Sequence, residues 1–287
     1  MFAVAGCGGG SSRSALDIPP ALGLPKPPPR NALVVAREDG KLAVALAAVP
    51  VTAGRVQLTA TVIGPRGSGV NGLGTQFRTL SGVVSGRACG VGCYTAPARP
   101  GRSVTVAFAH PRSTVTFDLP ARLPAPSAIR LLRRATTDYR ELHSVEYRER
   151  LSSGIGATVV SLWKQVAPNR LEYRIRHGAS GIVIGGRRWD KIAPRARWTL
   201  SPAQPLRAPD PIWGSAATNV HLLGVETDDG RRVYVVSLLR RDIPAWFTIR
   251  LDARTLRPIS LDMIATAHFM HHDYLSFNRP LRIRPPH

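Results

Sequence analysis

Ser127-Ala-Ile-Arg-Leu-Leu-Arg-Arg-Ala-Thr-Thr-Asp-Tyr-Arg-Glu-Leu-His-Ser-Val-Glu-Tyr-Arg-Glu-Arg-Leu151 changes its period partway along, and that change decides the fold of the longer half of the chain. In its first part Ile129, Leu132, Ala135, Tyr139 and Leu142 recur at three- and four-residue spacing, which places them on one stripe of an α-helix. Ser127 stands where an N-cap belongs. From Val145 the pattern alternates instead: Val145, Tyr147 and Leu151 are interleaved with charged residues, the mark of a strand with one face in a core. Leu171, Tyr173 and Ile175 alternate likewise, and Val233 to Leu238, Phe247 to Leu251 and Ile259 to Tyr274 read as further strands. One amphipathic helix followed by many antiparallel strands predicts a curved sheet, a half-barrel, wrapped around that helix over 126–287. Ser201 to Thr218, with four prolines, predicts a long loop over the sheet's mouth or edge. Asp228-Asp-Gly230 and Gly185-Gly186 read as turns between strands.

Upstream the rhythm is different. Short apolar or alternating runs at Leu33 to Ala36, Leu42 to Val49, Val56 to Ile63, Val104 to Phe108 and Val115 to Leu119 are separated by turn signals such as Glu38-Asp-Gly40 and Gly64-Pro-Arg-Gly67. Strands at this spacing predict an immunoglobulin-like β-sandwich over 31–120. A proline-rich joint, Pro120 to Pro126, separates it from the half-barrel, and the fold class is therefore mainly β with an α+β second domain. Residues 1–30, rich in Gly, Ser and Pro and closing on Pro25-Lys-Pro-Pro-Pro29, read as a disordered tether.

The formal net charge of +21 allows attraction to anionic headgroups, wall polymers or nucleic acid, because long-range potential follows net charge whatever the fold. Arginines such as Arg170, Arg174 and Arg176 are scattered through strand patterns rather than gathered on a helix or an aromatic-flanked groove, which argues against nucleic acid as partner. No stretch approaches the roughly 18 to 20 consecutive apolar residues of a membrane helix. Tethering is expected instead at Cys7: Val4-Ala-Gly-Cys7 ends as a bacterial lipoprotein signal ends, with small residues before a cysteine that is acylated and becomes the new N-terminus. The six residues before Cys7 are fewer than such a signal needs, so its basic and apolar parts are expected upstream of Met1; the alternative is a Gly-Cys pair in a flexible tail.

Asp39-Gly-Lys-Leu-Ala-Val, Val56-Gln-Leu-Thr-Ala-Thr-Val, Gly92-Cys-Tyr-Thr-Ala96 and Val104-Thr-Val-Ala-Phe108 resemble the small immunoglobulin-like domains of the YtkA and copper-resistance CopC type, which occur in fusions with CopD-type membrane proteins. The second half resembles the extracytoplasmic tail of such fusions and lone lipoproteins similar to LolA and LppX. It does so through Tyr147-Arg-Glu-Arg-Leu-Ser-Ser-Gly154, Ala167-Pro-Asn-Arg170, Gly185-Gly-Arg-Arg-Trp189, Pro244-Ala-Trp-Phe247, His268-Phe-Met-His-His-Asp-Tyr274 and Phe277-Asn-Arg-Pro280. That resemblance implies a half-open barrel that carries lipid or lipoprotein acyl chains. The chain lacks a polytopic membrane segment, so the copper transport of the fusions does not carry over whole, and Asn31 to Gly40 contain none of the histidine usual at the start of a CopC domain.

Imidazole and thioether suit copper, which makes His268, Met270, His271 and His272 the candidate metal ligands. On a strand His268, Met270 and His272 share a face in steps of about 6.6 to 6.8 Å, so neighbours pinch one ion while the two histidines, about 13 Å apart, do not. A helical turn would instead bring His268 and His272 together. The bland reading is a core methionine with polar strand histidines. Cys89 and Cys93 flank Gly-Val-Gly and are open to two readings: a disulfide, favoured outside the cytoplasm where oxidised pairs persist, or a thiolate metal pair. Trp163, Tyr173, Trp189, Trp198, Trp213 and Trp246 belong to a core or line an apolar cavity, with Trp163, Tyr173, Trp189 and Trp246 the cavity candidates. No Gly-x-Ser-x-Gly and no cysteine beside a histidine is present, so an enzyme is not expected, nor is a cofactor other than copper. The leading expectation is a lipid-anchored binding protein at the outer face of the cytoplasmic membrane. It would bind a hydrophobic ligand or a membrane protein partner through that partner's lipid moiety. The rivals are a copper-handling accessory module and a passive interaction protein of the envelope.

Overall fold

The computed structural model describes residues 23, 25–52, 54–153 and 158–286. Its first unit is a sandwich of nine strands: β1 (Leu33–Asp39), β2 (Leu42–Thr52), β3 (Arg55–Ile63), β4 (Gln76–Thr79), β5 (Gly82–Ser85), β6 (Arg87–Gly90), β7 (Cys93–Ala98), β8 (Ser103–Phe108) and β9 (Ser113–Asp118). They form one sheet in the order β1-β2-β3-β7-β6 and a second in the order β5-β4-β8-β9. Alternate side chains of both sheets meet between them, with Leu46, Leu58, Phe77 and Phe117 at the centre. The sequence reading missed β4, β5 and β6, which are four residues long and too short to show a period, and also the six-residue β7.

The second unit begins with α1 (Ile129–Arg140) and continues as β10 (Ser144–Ser152), β11 (Val159–Val166), β12 (Arg170–Ile175), β13 (Ser180–Ile184), β14 (Arg187–Lys191), β15 (Thr199–Pro202), β16 (Ala217–Asp228), β17 (Arg231–Arg240), β18 (Ala245–Asp252), β19 (Pro258–Ala265) and β20 (His268–Phe277). The strands make one antiparallel sheet of eleven, in the order β15-β14-β13-β12-β11-β10-β20-β19-β18-β17-β16. The helix buries Leu132, Ala135, Thr136 and Tyr139 against the sheet's concave face, as the stripe predicts. Its start differs from the expectation. Ala128 occupies the N-cap position without a side-chain bond, and Ser127 lies 3.5 Å from the Ile129 amide. What fixes the helix entry is pairing with β16: the Ala128 amide donates to the Val220 carbonyl and the Leu222 amide to the Pro126 carbonyl. Ile259 to Tyr274 is two strands, not one, because the chain reverses at Thr266-Ala267 with φ +49° at Ala267, a turn that carries none of the usual Gly, Asn or Asp signals. The β16–β17 turn is as read, with φ +48° at Asp229 and +74° at Gly230, the two positive angles that such a hairpin needs.

The two units are packed together through apolar side chains. On β2, Val44, Leu46 and Ala48 point into the sandwich, while Ala43, Ala45 and Ala47 point the other way. A strand buried on both faces reads as a continuous apolar run, which is why Leu42 to Val49 shows no polar alternation. The small alanines, with Ala32, Val34 and Ile63, pack on Leu239, Trp246, Ile264 and Phe269, all less than a tenth exposed, on the convex side of the large sheet. Beside this contact the Asn219 amide donates to the Pro29 and Ala32 carbonyls, and Arg241 donates to the Pro28 carbonyl. The sandwich is thus packed against the half-barrel by both apolar and polar contacts. Among the described residues, no helix is long and apolar enough to cross a membrane.

Trp246→Ala removes the largest side chain of this contact. It is expected to lower stability by about 3 kcal/mol or more, the usual cost of deleting a buried Trp. The parent is expected to unfold in urea in one transition, followed by tryptophan fluorescence and circular dichroism, and the variant in two.

Candidate functional site

An eleven-stranded sheet is roughly 48 Å across at about 4.8 Å per strand, whereas a twelve-residue helix is about 18 Å long and about 10 Å wide. The helix therefore covers only part of the concave face. Its buried stripe lies over β16 to β20 and β10, together with Val236, Leu238, Phe247, Ile249 and Leu261. The segment 203–216 joins the two edge strands of the sheet, β15 and β16, and straps this covered part. The Ala208 amide donates to the Pro168 carbonyl, Arg140 Nε donates to Asp210 at 2.6 Å, and Trp213 is fully buried against Tyr139.

Beyond the helix the concave face is a ladder of rings set by strand register. Tyr147 on β10 pairs with Trp163 on β11, Trp163 with Tyr173 on β12, and Tyr173 with Gly181 on β13. Ring centroids lie 6.0 Å apart for Tyr147 and Trp163 and 4.9 Å apart for Trp163 and Tyr173. At the other end Tyr147 meets Tyr274 at 5.4 Å, which leads through Tyr139 to Trp213. A β-carbon at position 181 would fall 2.3 Å from Tyr173 Cε1, so the glycine is what lets that ring lie over the sheet. Trp213 and Tyr139 are solid core, whereas Trp163 and Tyr173 are only half-buried. Burial pushes the Tyr139 and Tyr274 hydroxyls well above the ordinary phenol range, so this end of the ladder stays neutral.

One polar chain crosses the ladder. His272 Nε2 lies 2.9 Å from Glu149 Oε2, Ser161 donates to Glu149 Oε1 at 3.2 Å, and Trp163 Nε1 donates to Ser161 Oγ at 2.9 Å. His272 also stacks on Tyr147 at 4.5 Å, and its Nδ1 is buried without a partner. The serine donates to a carboxylate and accepts from the indole, an arrangement that holds Trp163 in place.

No family model matches the sequence, and no curated protein matches it. Among solved structures the fold is similar to the lipoprotein LppX of Mycobacterium tuberculosis, at 14% identity over 55% of this chain and 100% of that one, with a TM-score of 0.42. It is also similar to LprF of Mycobacterium bovis, at 14% identity over 56% of this chain and 99% of the other, TM-score 0.38. A LolA superfamily protein of Nitrosomonas europaea is 11% identical over 56% of this chain and 96% of its own, TM-score 0.28.

Of the residues singled out in the sequence, Trp163 and Tyr173 stand on the concave face. Trp189 and Trp246 do not. Trp189 pairs with Ile182, which pairs with Glu172, so it lies on the convex face, and Trp246 is held against the sandwich. Trp198 carries Lys191 at 5.8 Å, outside the ladder. Strand alternation splits the histidine-methionine cluster. Met270 is core, His272 is bound to Glu149, His268 is exposed, and His271 points to the opposite face, where its ring nitrogens lie 2.6 Å from Asp262 and 3.0 Å from Asp273. Among the described residues no three His, Cys, Asp or Glu side chains gather to hold a metal, so the expected copper ligand set is not assembled. Cys89 and Cys93 are joined in a disulfide across the β6–β7 turn, which removes the thiolate alternative. Cys7 lies outside the described residues. Sequence reasoning missed Glu149 and Ser161; two-residue spacing from Tyr147 and Trp163 was the signal that puts both on the concave face.

The His271 ring is held above its ordinary pKa by the hydrogen bond to Asp262, against an opposing burial effect and with help from Asp273. A raised folded-state pKa stabilises fully below the unfolded value of about 6.5 and is lost as pH rises through the folded value. The stability gap between the parent and His271→Gln, measured by chemical denaturation, should therefore be widest at pH 5 and narrow toward pH 9; a gap independent of pH contradicts this.

Proposed function

We propose that this protein is an extracytoplasmic binding protein, anchored through an acylated Cys7 at the outer face of the cytoplasmic membrane, whose half-barrel accepts the hydrophobic part of a ligand or of a lipidated partner. The observation that carries the reading is the half-open aromatic ladder of Trp163 and Tyr173, on the part of the concave face that α1 is too short to cover. Apolar surface left open inside a concavity is what hydrophobic ligands bind. The Cys89–Cys93 disulfide supports placement in an oxidising compartment, and the excess of arginine supports residence at an anionic membrane surface. In this reading the sandwich is a buttress, since it holds the convex face of the large sheet and keeps the concave face turned away from it.

Native mass spectrometry of gently purified protein should show co-purified lipid, and a fluorescent long-chain fatty acid should bind to delipidated protein. Gly181→Val, which drives Tyr173 off the sheet, and Trp163→Ala should each weaken the probe on the order of tenfold, near 1.4 kcal/mol. A protein that carries no lipid and does not take up the probe would refute the assignment.

A further inference from the structure

A half-open cleft of about 730 Å³ lies at one end of the half-barrel, where the start of β17, the β18–β19 turn and the end of β20 come together. Its volume is within the roughly 300 to 1,000 Å³ typical of ligand pockets. The floor is aromatic, from Tyr234, Tyr274 and Phe277. Tyr274 is also a rung of the ladder, 5.4 Å from Tyr147, so floor and ladder are continuous.

The rim has the opposite character. Arg231, Arg232, Arg254 and Arg257 all line it, and among the described residues none of these four guanidiniums is in an ion pair. Arg250, nearby on β18, shows the contrast, since it is paired with both Glu226 and Asp228. The one carboxylate on the rim, Asp252, is occupied within its own turn, accepting from the Arg254 amide at 3.0 Å, the Thr255 amide at 2.8 Å and the Thr255 hydroxyl at 2.9 Å. Four positive groups against one negative leave a local excess of three. Arg257 lies over Phe277, 5.4 Å from the ring centroid, which fixes one guanidinium between floor and rim.

Like charges crowded without counter-ions repel, and a concave wall of low dielectric focuses their field outward. Guanidinium forks match the oxygens of phosphate and carboxylate, and an aromatic floor accepts methylene groups. An apolar floor and an anion-seeking rim in one cleft describe the complement of an amphiphile. We propose that this cleft seats the phosphate or carboxylate headgroup of an anionic lipid, with the first part of its apolar portion against Tyr234, Tyr274 and Phe277. The inference rests on the lipid-binding reading and names the ligand class.

The test is calorimetry of delipidated full-length protein with short-chain phosphatidylglycerol, short-chain phosphatidylcholine and inorganic phosphate. The variant combines Arg231→Gln, Arg232→Gln, Arg254→Gln and Arg257→Gln, with folding checked by circular dichroism. The parent should prefer phosphatidylglycerol to phosphatidylcholine by about tenfold or more, a preference that weakens with salt and disappears in the variant. Equal binding of both lipids by both proteins would overturn the headgroup assignment while leaving the acyl-binding reading intact. Binding of neither lipid would remove both. Inorganic phosphate binding as tightly as phosphatidylglycerol would make this a site for a free anion and overturn the lipid assignment.

Discussion

A broad curved sheet has two faces to bury, and α1 is too small for the inner one. In a domain of two layers each face normally finds a partner of matching extent. Here the concave face is covered by α1 and the 203–216 strap only where Leu132, Tyr139 and Trp213 reach, and beyond that limit the rings of Trp163 and Tyr173 remain half-buried. The incompleteness is specific, since the same sheet is densely packed under the helix, with Leu238, Ile249, Leu251 and Leu261 fully buried.

The convex face is closed differently on its two halves. Over β17 to β20 it is covered at one end by β1, through Ala32 and Val34, together with the small alanines of β2. Over β11 to β14 it carries Lys164, Glu172, Arg174 and Trp189, with Glu172 and Ile182 buried and the C-terminal segment held there by Arg170, which donates to the Ile283 carbonyl. The buttressed half coincides with the half that the helix fills, so one side of the half-barrel is braced on both faces. The other side, which bears the half-buried rungs of the ladder, is held instead by the 203–216 strap at Pro168 and by the C-terminal segment at Arg170.

Charge is distributed by a similar division. On the convex face carboxylates are shared among basic groups, as where Asp273 serves Arg148, Arg150 and His271. Inside the concavity Glu149 is satisfied by His272 and Ser161, and the Arg188–Asp190 ion pair sits beside Tyr173. At the mouth near Phe277 four guanidiniums gather without ion-pair partners among the described residues.

The sequence by itself determined the elements whose causes are local: the stripe of α1, the alternation of β10 and β12, the hairpin at Asp229-Gly230 and the apolar run of β2. It also determined that Trp163 and Tyr173 share a face with Tyr147 once the strands pair in register. It did not show the turn at Thr266-Ala267, which lacks turn residues, nor the short strands of the sandwich. Only the tertiary structure decided which face of each strand became the inside, and so it sent Trp189 and Trp246 outward and brought Glu149 to a histidine 123 positions away. The physical reason is that parity along a strand is fixed by the backbone's two-residue repeat, whereas the direction in which a sheet curls is fixed by what packs against each side of it.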